Sequence, residues 1–102
     1  MVSIIIVNYN TKQLTLDCLK SIYDHTTEID FEIIVVDNAS SDNSVEAIKA
    51  TFPLVKVIEP NENLGFGRAN NLGAKYAKGE YLFLLNSDTL LIENSIKKLY
   101  DF

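Results

Sequence analysis

Residues 2–10 have the sequence VSIIIVNYN, a run rich in β-branched apolar side chains that gives way abruptly to polar ones. Residues 2–7 of this run predict a short strand that is buried on both faces. Similar apolar runs predict three more strands, at residues 31–36, 55–58 and 81–85.

Helical spacing fills the gaps between the predicted strands. Apolar residues three and four apart define one face of the first predicted helix, namely Leu14, Cys18, Leu19 and Ile22. The second helix is predicted to start at Asn43, because Glu46 follows three residues later. The third is predicted from the periodic positions Ala69, Leu72, Gly73, Tyr76 and Ala77. Gly79 is the expected stop of that helix, and residues 95–100 predict a fourth.

Strands that alternate with helices through short connections indicate right-handed βαβ units and a parallel sheet. The predicted fold is α/β, a Rossmann-like three-layer α/β/α arrangement with a mainly parallel sheet, and we predict the strand order 3-2-1-4. No internal repeat, low-complexity segment or linker interrupts residues 1–102, so they are assigned to one domain.

Composition argues against several classes of protein. The chain has 102 residues and a formal net charge of −5, which disfavours nucleic-acid binding, because that depends on many Lys and Arg contacts to phosphate. The single Cys18 cannot form an internal disulfide, and the single His25 argues against a His-rich zinc site. The apolar run at 4–7 is far too short to span a bilayer, so no membrane span is expected and a cytoplasmic location is the default.

Polar side chains follow the apolar strands at their carboxyl ends, where open α/β sheets bind their ligands. They form four groups, at residues 8–10, 37–40, 60–61 and 86–88. Each Asp or Asn taken singly is explained more simply as a helix cap. Asp37 and Asp88 together nevertheless offer carboxylate oxygens of the kind that bind hard divalent cations.

The turn after the first strand limits which ligand this edge can bind. Residues 8–13 contain no glycine, whereas dinucleotide-binding turns and P-loops both need several. Receiver-like signalling domains also carry acids at strand ends, but their acidic pocket includes the end of the first strand, which here has no acid. An aromatic side chain such as Tyr9 can instead stack on a nucleobase while an Asp or Asn hydrogen-bonds its edge.

Four segments carry a resemblance to a known family, namely residues 2–10 (VSIIIVNYN), 34–42 (IVVDNASSD), 63–73 (NLGFGRANNLG) and 79–88 (GEYLFLLNSD). Together they resemble family 2 glycosyltransferases of the GT-A fold, the nucleotide-diphospho-sugar transferase type. Each segment alone is a weak signal, but all four occur in the family's order over essentially the whole chain. Within the family, residues 63–73 are most similar to rhamnosyltransferases.

The resemblance implies transfer of a sugar from a nucleoside diphosphate sugar, assisted by Mg²⁺ or Mn²⁺. Carried over by position, Tyr9 is expected beside the nucleobase, while Asp37 and Asn38 contact base and ribose. Asn86 and Asp88 occupy the place of the family's Asp-x-Asp motif, in which Asp88 is the expected metal ligand bridging to the diphosphate. Because Asn86 carries no charge, a weaker metal site is expected.

A second departure lies at Asn70, a position that is often Arg in the family. The nearest arginine in this sequence is Arg68. A contact to phosphate or ribose and a solvated helix position are equally compatible with the sequence at Arg68.

The resemblance also implies what lies outside these residues. In the family, the acceptor site and the catalytic Asp or Glu base come from a later part of the chain, so no catalytic residue is assigned here and the base is expected beyond Phe102. We therefore interpret residues 1–102 as the donor-binding half of an inverting transferase, truncated and inactive alone. The expected acceptor is a saccharide or a lipid-linked molecule, in cell-surface polysaccharide or glycoconjugate synthesis. The expected location is the cytoplasm or the inner face of the membrane. A non-catalytic nucleotide- or metal-binding module and a receiver-like signalling domain are the alternatives, and self-association through an uncovered fourth strand is expected.

Overall fold

The computed structural model of the chain describes residues 1–91 and 93–101. Strands and helices alternate along it in the order β1 (Val2–Asn8), α1 (Lys12–His25), β2 (Phe31–Asp37), α2 (Ser44–Thr51), β3 (Lys56–Ile58), α3 (Phe66–Tyr76), β4 (Tyr81–Leu85) and α4 (Ser95–Asp101). All eight elements were predicted from the sequence, with bounds that differ by about three residues at most.

The four strands form a parallel sheet in the order β3-β2-β1-β4, which confirms the predicted order. β1 lies inside the sheet between β2 and β4, and every one of its residues is buried. Its register places Asn8 opposite Asp37 at the carboxyl end of β2. The polar residues that follow β1, β2 and β4 therefore meet at one edge of the sheet.

Helices cover both faces of the sheet, so the domain has the predicted three layers. Successive strand residues point to opposite faces, which divides the apolar core into two clusters. The larger cluster packs against α1, α2 and α4, through Cys18, Leu19, Ile22, Ile48 and Ile96. The smaller cluster joins the sheet to α3, through Val7, Ile34, Val36 and Ala69.

Details at the helix ends differ from the sequence-based expectations. Leu14, predicted on the buried face of α1, is 48% exposed, because the buried face of the helix begins at Thr15 instead. Asn43 precedes α2 as predicted, but its side chain makes no capping hydrogen bond. Asp42 Oδ1 accepts the Ser44 backbone N–H instead, at 3.1 Å.

The end of α3 also differs from the expectation. The helix finishes at Tyr76, and Tyr76 is exposed on the surface with the Lys56 ammonium 5.9 Å from its ring centroid. Gly79 is not the left-handed stop of the helix, because its φ is not positive. It lies against β1, where a side chain would collide with Ser3 and Met1.

No helix within the described residues is both long and apolar enough to cross a membrane.

β4 lies at the edge of the sheet, and within residues 1–91 and 93–101 no strand pairs with its outer side. Leu82 and Leu84 are about half exposed there. Unpaired backbone groups beside apolar side chains favour pairing with another strand.

We therefore expect this 102-residue chain to self-associate as its concentration rises, and Leu84→Lys to weaken that association. Sedimentation velocity over a concentration series measures it, and a strictly monomeric chain contradicts the expectation.

Candidate functional site

A cleft of about 490 Å³ opens at the carboxyl ends of the parallel strands. The loops after β1, β2 and β4 form its walls, together with the segment that leads into α3. Four residues predicted from the sequence line it, namely Tyr9, Asn38, Asn86 and Asp88. Its volume lies in the range of small-molecule sites, roughly 300–1,000 Å³.

The loop after β1 is tied to the loop after β2 by hydrogen bonds between main chain and side chains. The backbone N–H of Asn10 donates to Ser40 Oγ at 2.9 Å, and that of Ser41 donates to Asn10 Oδ1 at 2.8 Å. Asn10 and Ala39 both have positive φ, of 52° and 62°. Such left-handed residues are uncommon and cluster at functional loops. The paired loops hold Tyr9, 49% exposed, at the mouth of the cleft.

Asp37 is almost completely buried at the end of β2. Its Oδ1 accepts the Asn8 side-chain amide at 2.7 Å, and its Oδ2 accepts the backbone N–H of Ser40 at 2.9 Å. Asp37 lines a neighbouring cavity with Ser40 and Glu59 and is not among the residues that line the cleft with Tyr9. Charge-assisted bonds of this kind fix the loop that follows β2.

Asn38 connects the loop after β2 to the segment before α3. Its Oδ1 accepts the backbone N–H of Leu64 at 3.3 Å, and its Nδ2 donates to the Gly65 carbonyl at 3.4 Å. Gly65 has a φ of 77°, which a residue with a side chain adopts only with strain. This link brings Phe66, the first residue of α3, to the wall of the cleft with 58% of its surface exposed.

A turn after β4 presents the acidic part of the site. The Asn86 carbonyl accepts the backbone N–H of Thr89 at 3.0 Å, so Ser87 and Asp88 occupy the central positions of the turn. Asp88 is exposed to the cleft. Beneath the turn, burial raises the pKa of the Cys18 thiol to about 11, and the Asp88 carboxylate contributes to that rise. The negative charge of Asp88 thus acts on the protein below the cleft as well as on the cleft itself.

Arg68 lies apart from the other predicted residues. It lines a separate depression along α3 with Leu64, Leu72 and Lys75. The structure therefore brings four of the six predicted binding residues into one cleft, places Asp37 directly behind its wall, and leaves Arg68 outside.

The cleft also contains residues that the sequence did not single out as binding groups. Thr11, Asn63 and Ser87 line it alongside the predicted four. Phe66 is also exposed at the wall of the cleft. Ser87 lies inside the predicted polar group at 86–88, and Thr11 directly follows the group at 8–10. Their positions next to strand ends could therefore have identified both residues from the sequence.

Fold and site together define a class of protein: a three-layer α/β domain with a parallel sheet, whose cleft combines an aromatic side chain, amides and a carboxylate at the strand ends. The family model described as glycosyl transferase family 2 matches residues 3–102. The chain belongs to this family.

Individual relatives agree with the family assignment. The chain is 35% identical to glycosyltransferase GlyG of Streptococcus pneumoniae serotype 4, over 98% of this chain and 34% of the relative. It is 36% identical to a poly(ribitol-phosphate) beta-glucosyltransferase of Bacillus spizizenii, over 99% of this chain and 17% of the relative. The chain thus spans about a third or less of the length of these curated relatives.

Solved structures show the same GT-A architecture. S. aureus TarS 1–349 in complex with UDP superimposes with a TM-score of 0.86 at 26% identity, covering 98% of this chain and 31% of that one. The mannosyltransferase PcManGT from Pyrobaculum calidifontis, in complex with GDP-Man and Mn²⁺, superimposes with a TM-score of 0.81 at 30% identity. The match covers 92% of this chain and 29% of that one. Fold and family together decide against the receiver-like alternative.

Proposed function

We propose that this chain is the donor-binding part of a glycosyltransferase and that a nucleoside diphosphate sugar occupies the cleft at the strand ends. The observation that supports this most directly is the arrangement of the cleft, with Tyr9 and Asn38 after β1 and β2 and Asp88 in the turn after β4. An aromatic ring, amide groups and a carboxylate suit the base, ribose and metal-bound diphosphate of such a donor. Relatives that bind UDP and GDP-Man support the same substrate class.

The nucleoside is proposed to lie at the Tyr9 end of the cleft. The half-exposed Tyr9 ring offers a face on which a base can stack, a contact worth roughly 1–3 kcal/mol. Asn38 and Asp37 are proposed to contact base and ribose, although Asp37 lines the neighbouring cavity and the donor would have to extend into that cavity to reach it. Both are held rigidly by protein hydrogen bonds, so they require little reorganisation on binding.

The turn after β4 fits a divalent cation that is completed by the substrate. Asp88 supplies one carboxylate, and Asn86 and Ser87 supply neutral oxygens beside it. Within the described part of the chain, no group of three or more His, Cys, Asp or Glu side chains converges on one point. Mg²⁺-type sites commonly use one or two carboxylates together with substrate phosphates and water, so this donor set fits Mg²⁺ or Mn²⁺ bound with the diphosphate.

A bound divalent cation would neutralise the diphosphate and stabilise it as a leaving group. The protein's own part is to hold that end of the donor against the turn, because the Asp88 carboxylate repels a free diphosphate and attracts one that is paired with a cation. Arg68 is also proposed as a donor contact, although its side chain would have to pass the first turn of α3 to reach the cleft. Unchanged donor affinity in Arg68→Ala would remove it from the site.

The remaining steps of transfer are proposed for the whole protein. An Asp or Glu base outside these residues would deprotonate a hydroxyl of a saccharide or lipid-linked acceptor, and an inverting displacement at the sugar would release the nucleoside diphosphate. A role in cell-surface polysaccharide synthesis is proposed as well, and a relative named poly(ribitol-phosphate) beta-glucosyltransferase supports it. The proposed location is the cytoplasm or the inner face of the membrane. Because general-base catalysis contributes about 10²–10⁴-fold, residues 1–102 alone should transfer little sugar.

Calorimetric titration tests the donor site. We expect Mn²⁺ to tighten the binding of UDP or GDP by at least about tenfold, since the cation links Asp88 to the diphosphate. The matched nucleosides, uridine and guanosine, lack the diphosphate and should show no such effect. Equal affinity for the diphosphate with and without Mn²⁺ would contradict the metal part of the proposal.

A turnover assay separates the transferase from the non-catalytic module. The whole protein is incubated with UDP- or GDP-sugars, and release of the nucleoside diphosphate is followed. Slow release without an acceptor indicates hydrolysis by a working transferase site, whereas tight binding with no release in the presence of saccharide acceptors favours the binding module.

A further inference from the structure

Behind the cleft lies a buried side chain that none of the predicted site residues explains. Asn8 ends β1, is completely buried, and pairs in register with Asp37. It does not line the cleft. A buried amide without partners would be costly, so the position of its hydrogen bonds matters.

Every hydrogen-bonding position of the Asn8 amide is used. Nδ2 donates to Asp37 Oδ1 at 2.7 Å and to Ser40 Oγ at 3.1 Å. Oδ1 accepts the hydroxyls of Thr11 at 2.9 Å and Thr15 at 2.7 Å. A side-chain amide has two donor hydrogens and two acceptor sites, so no capacity remains for a ligand.

These bonds connect the two ends of the proposed donor site. On one side, Asp37 ends β2 and Ser40 belongs to the loop after it, at the end of the cleft proposed to bind the nucleoside. On the other side, Thr11 begins the turn into α1, and its hydroxyl lies 3.4 Å from Ser87 Oγ in the turn that carries Asp88. A single buried amide therefore joins the nucleoside end of the cleft to the diphosphate end.

We propose that Asn8 is a positioning residue for donor binding: it orients the Asp37 carboxylate and fixes the distance between the β2 loop and the β4 turn without touching the donor. This inference rests on the proposed function. Because the amide oxygen faces two hydroxyls and the amide nitrogen faces a carboxylate, a group with a different donor and acceptor pattern cannot satisfy both sides.

The first test is Asn8→Asp, which keeps the size of the side chain and replaces the donor towards Asp37 with an acceptor. Near neutral pH, two carboxylates then face each other and repel, while a shared proton at lower pH restores a hydrogen bond between them. We expect UDP or GDP affinity, measured by calorimetry with Mn²⁺, to fall about tenfold at about pH 8 and about threefold at about pH 5.5. A variant that only lost stability, with its donor site otherwise unchanged, would not show this pH dependence of nucleotide affinity.

A matched pair on α1 keeps the test decisive if Asn8→Asp does not fold. Thr15→Val removes a buried hydroxyl that donates to Asn8 and does not line the cleft. Ser21→Ala removes another buried hydroxyl of α1, which bonds to the Cys18 carbonyl and the Leu91 N–H instead. We expect Thr15→Val to weaken nucleotide binding by about threefold and Ser21→Ala to leave it unchanged, while both lower the urea midpoint.

The outcomes are distinguishable. Equal nucleotide affinities for Thr15→Val and Ser21→Ala, or an Asn8→Asp affinity that matches the wild type at both pH values, overturn the positioning role and leave the donor site intact. A wild-type whole protein that binds neither UDP nor GDP contradicts the proposed function itself and the positioning role with it.

Discussion

Asp88→Asn is expected to abolish the effect of Mn²⁺ on nucleoside diphosphate binding and to lower sugar transfer by the whole protein by about 10²–10³-fold. Asp88 is the one carboxylate among the described residues that line the cleft. Asparagine keeps the shape and one oxygen of the side chain but removes the charge that attracts the cation. Calorimetry with UDP and GDP, each with and without Mn²⁺, measures the loss.

The neighbouring position provides a variant with the opposite expected effect. Asn86→Asp adds a second carboxylate two residues before Asp88 in the same turn, so it should tighten Mn²⁺-dependent binding while Asp88→Asn weakens it. Asp17 lies on the exposed surface of α1 outside the cleft. Asp17→Asn removes a charge of the same kind and should change neither nucleotide affinity nor its dependence on Mn²⁺. If Asp88→Asn behaves like Asp17→Asn, the metal assignment at Asp88 is wrong.

Most of the fold was predictable because each strand is a short apolar run with a polar end. β1 could be recognised from the sequence at 2–7 because a central strand of a parallel sheet needs apolar side chains on both faces. The gathering of Tyr9, Asn38 and Asp88 at one cleft follows from the same rule, since parallel strands all end at the same edge.

The directions of individual side chains were less predictable. β2 extends through Asp37, one residue further than predicted, and successive strand residues point to opposite sides. Asp37, the last residue of β2, and Asn38, the first residue after it, line different cavities. Arg68 follows Phe66 by two positions on α3, a rotation of about 200° around the helix axis, which turns it away from the cleft.

The hydrogen-bond network around Asn8 was also hidden from the sequence. It depends on Thr11 and Thr15 lying one helical turn apart and on Ser40 folding back from another loop. Asn, Thr and Ser beside strand ends are equally typical of helix caps, so the sequence pattern alone does not separate the two uses.

Gly79→Ala is expected to destabilise the domain more than Gly73→Ala or Gly67→Ala. Gly79 precedes β4 and lies against the start of β1, where its N–H donates to Ser3 Oγ at 2.8 Å. A Cβ there would lie 2.6 Å from Ser3 Oγ, 2.7 Å from the Met1 carbonyl oxygen and 2.8 Å from the Ser3 nitrogen. Two of these atoms are backbone atoms, one in Met1 and one in Ser3 of the buried strand β1, and the hydroxyl of Ser3 is itself bonded to Glu32 at 2.6 Å.

Because the backbone of β1 cannot move aside without disturbing its ladders to β2 and β4, we expect Gly79→Ala to lower the free energy of unfolding by about 2–3 kcal/mol. Gly73→Ala should cost less, about 1–2 kcal/mol, since its Cβ would meet the Ile5 and Val36 methyl groups at 2.7 and 3.1 Å and the helix gains from alanine. Gly67, on the same helix, has no atom within 4 Å of an added Cβ, so Gly67→Ala is the matched control and should be neutral or stabilising. Urea unfolding followed by circular dichroism ranks the three variants. A Gly79→Ala midpoint equal to that of Gly67→Ala would mean that β1 and β4 do not approach as closely as described.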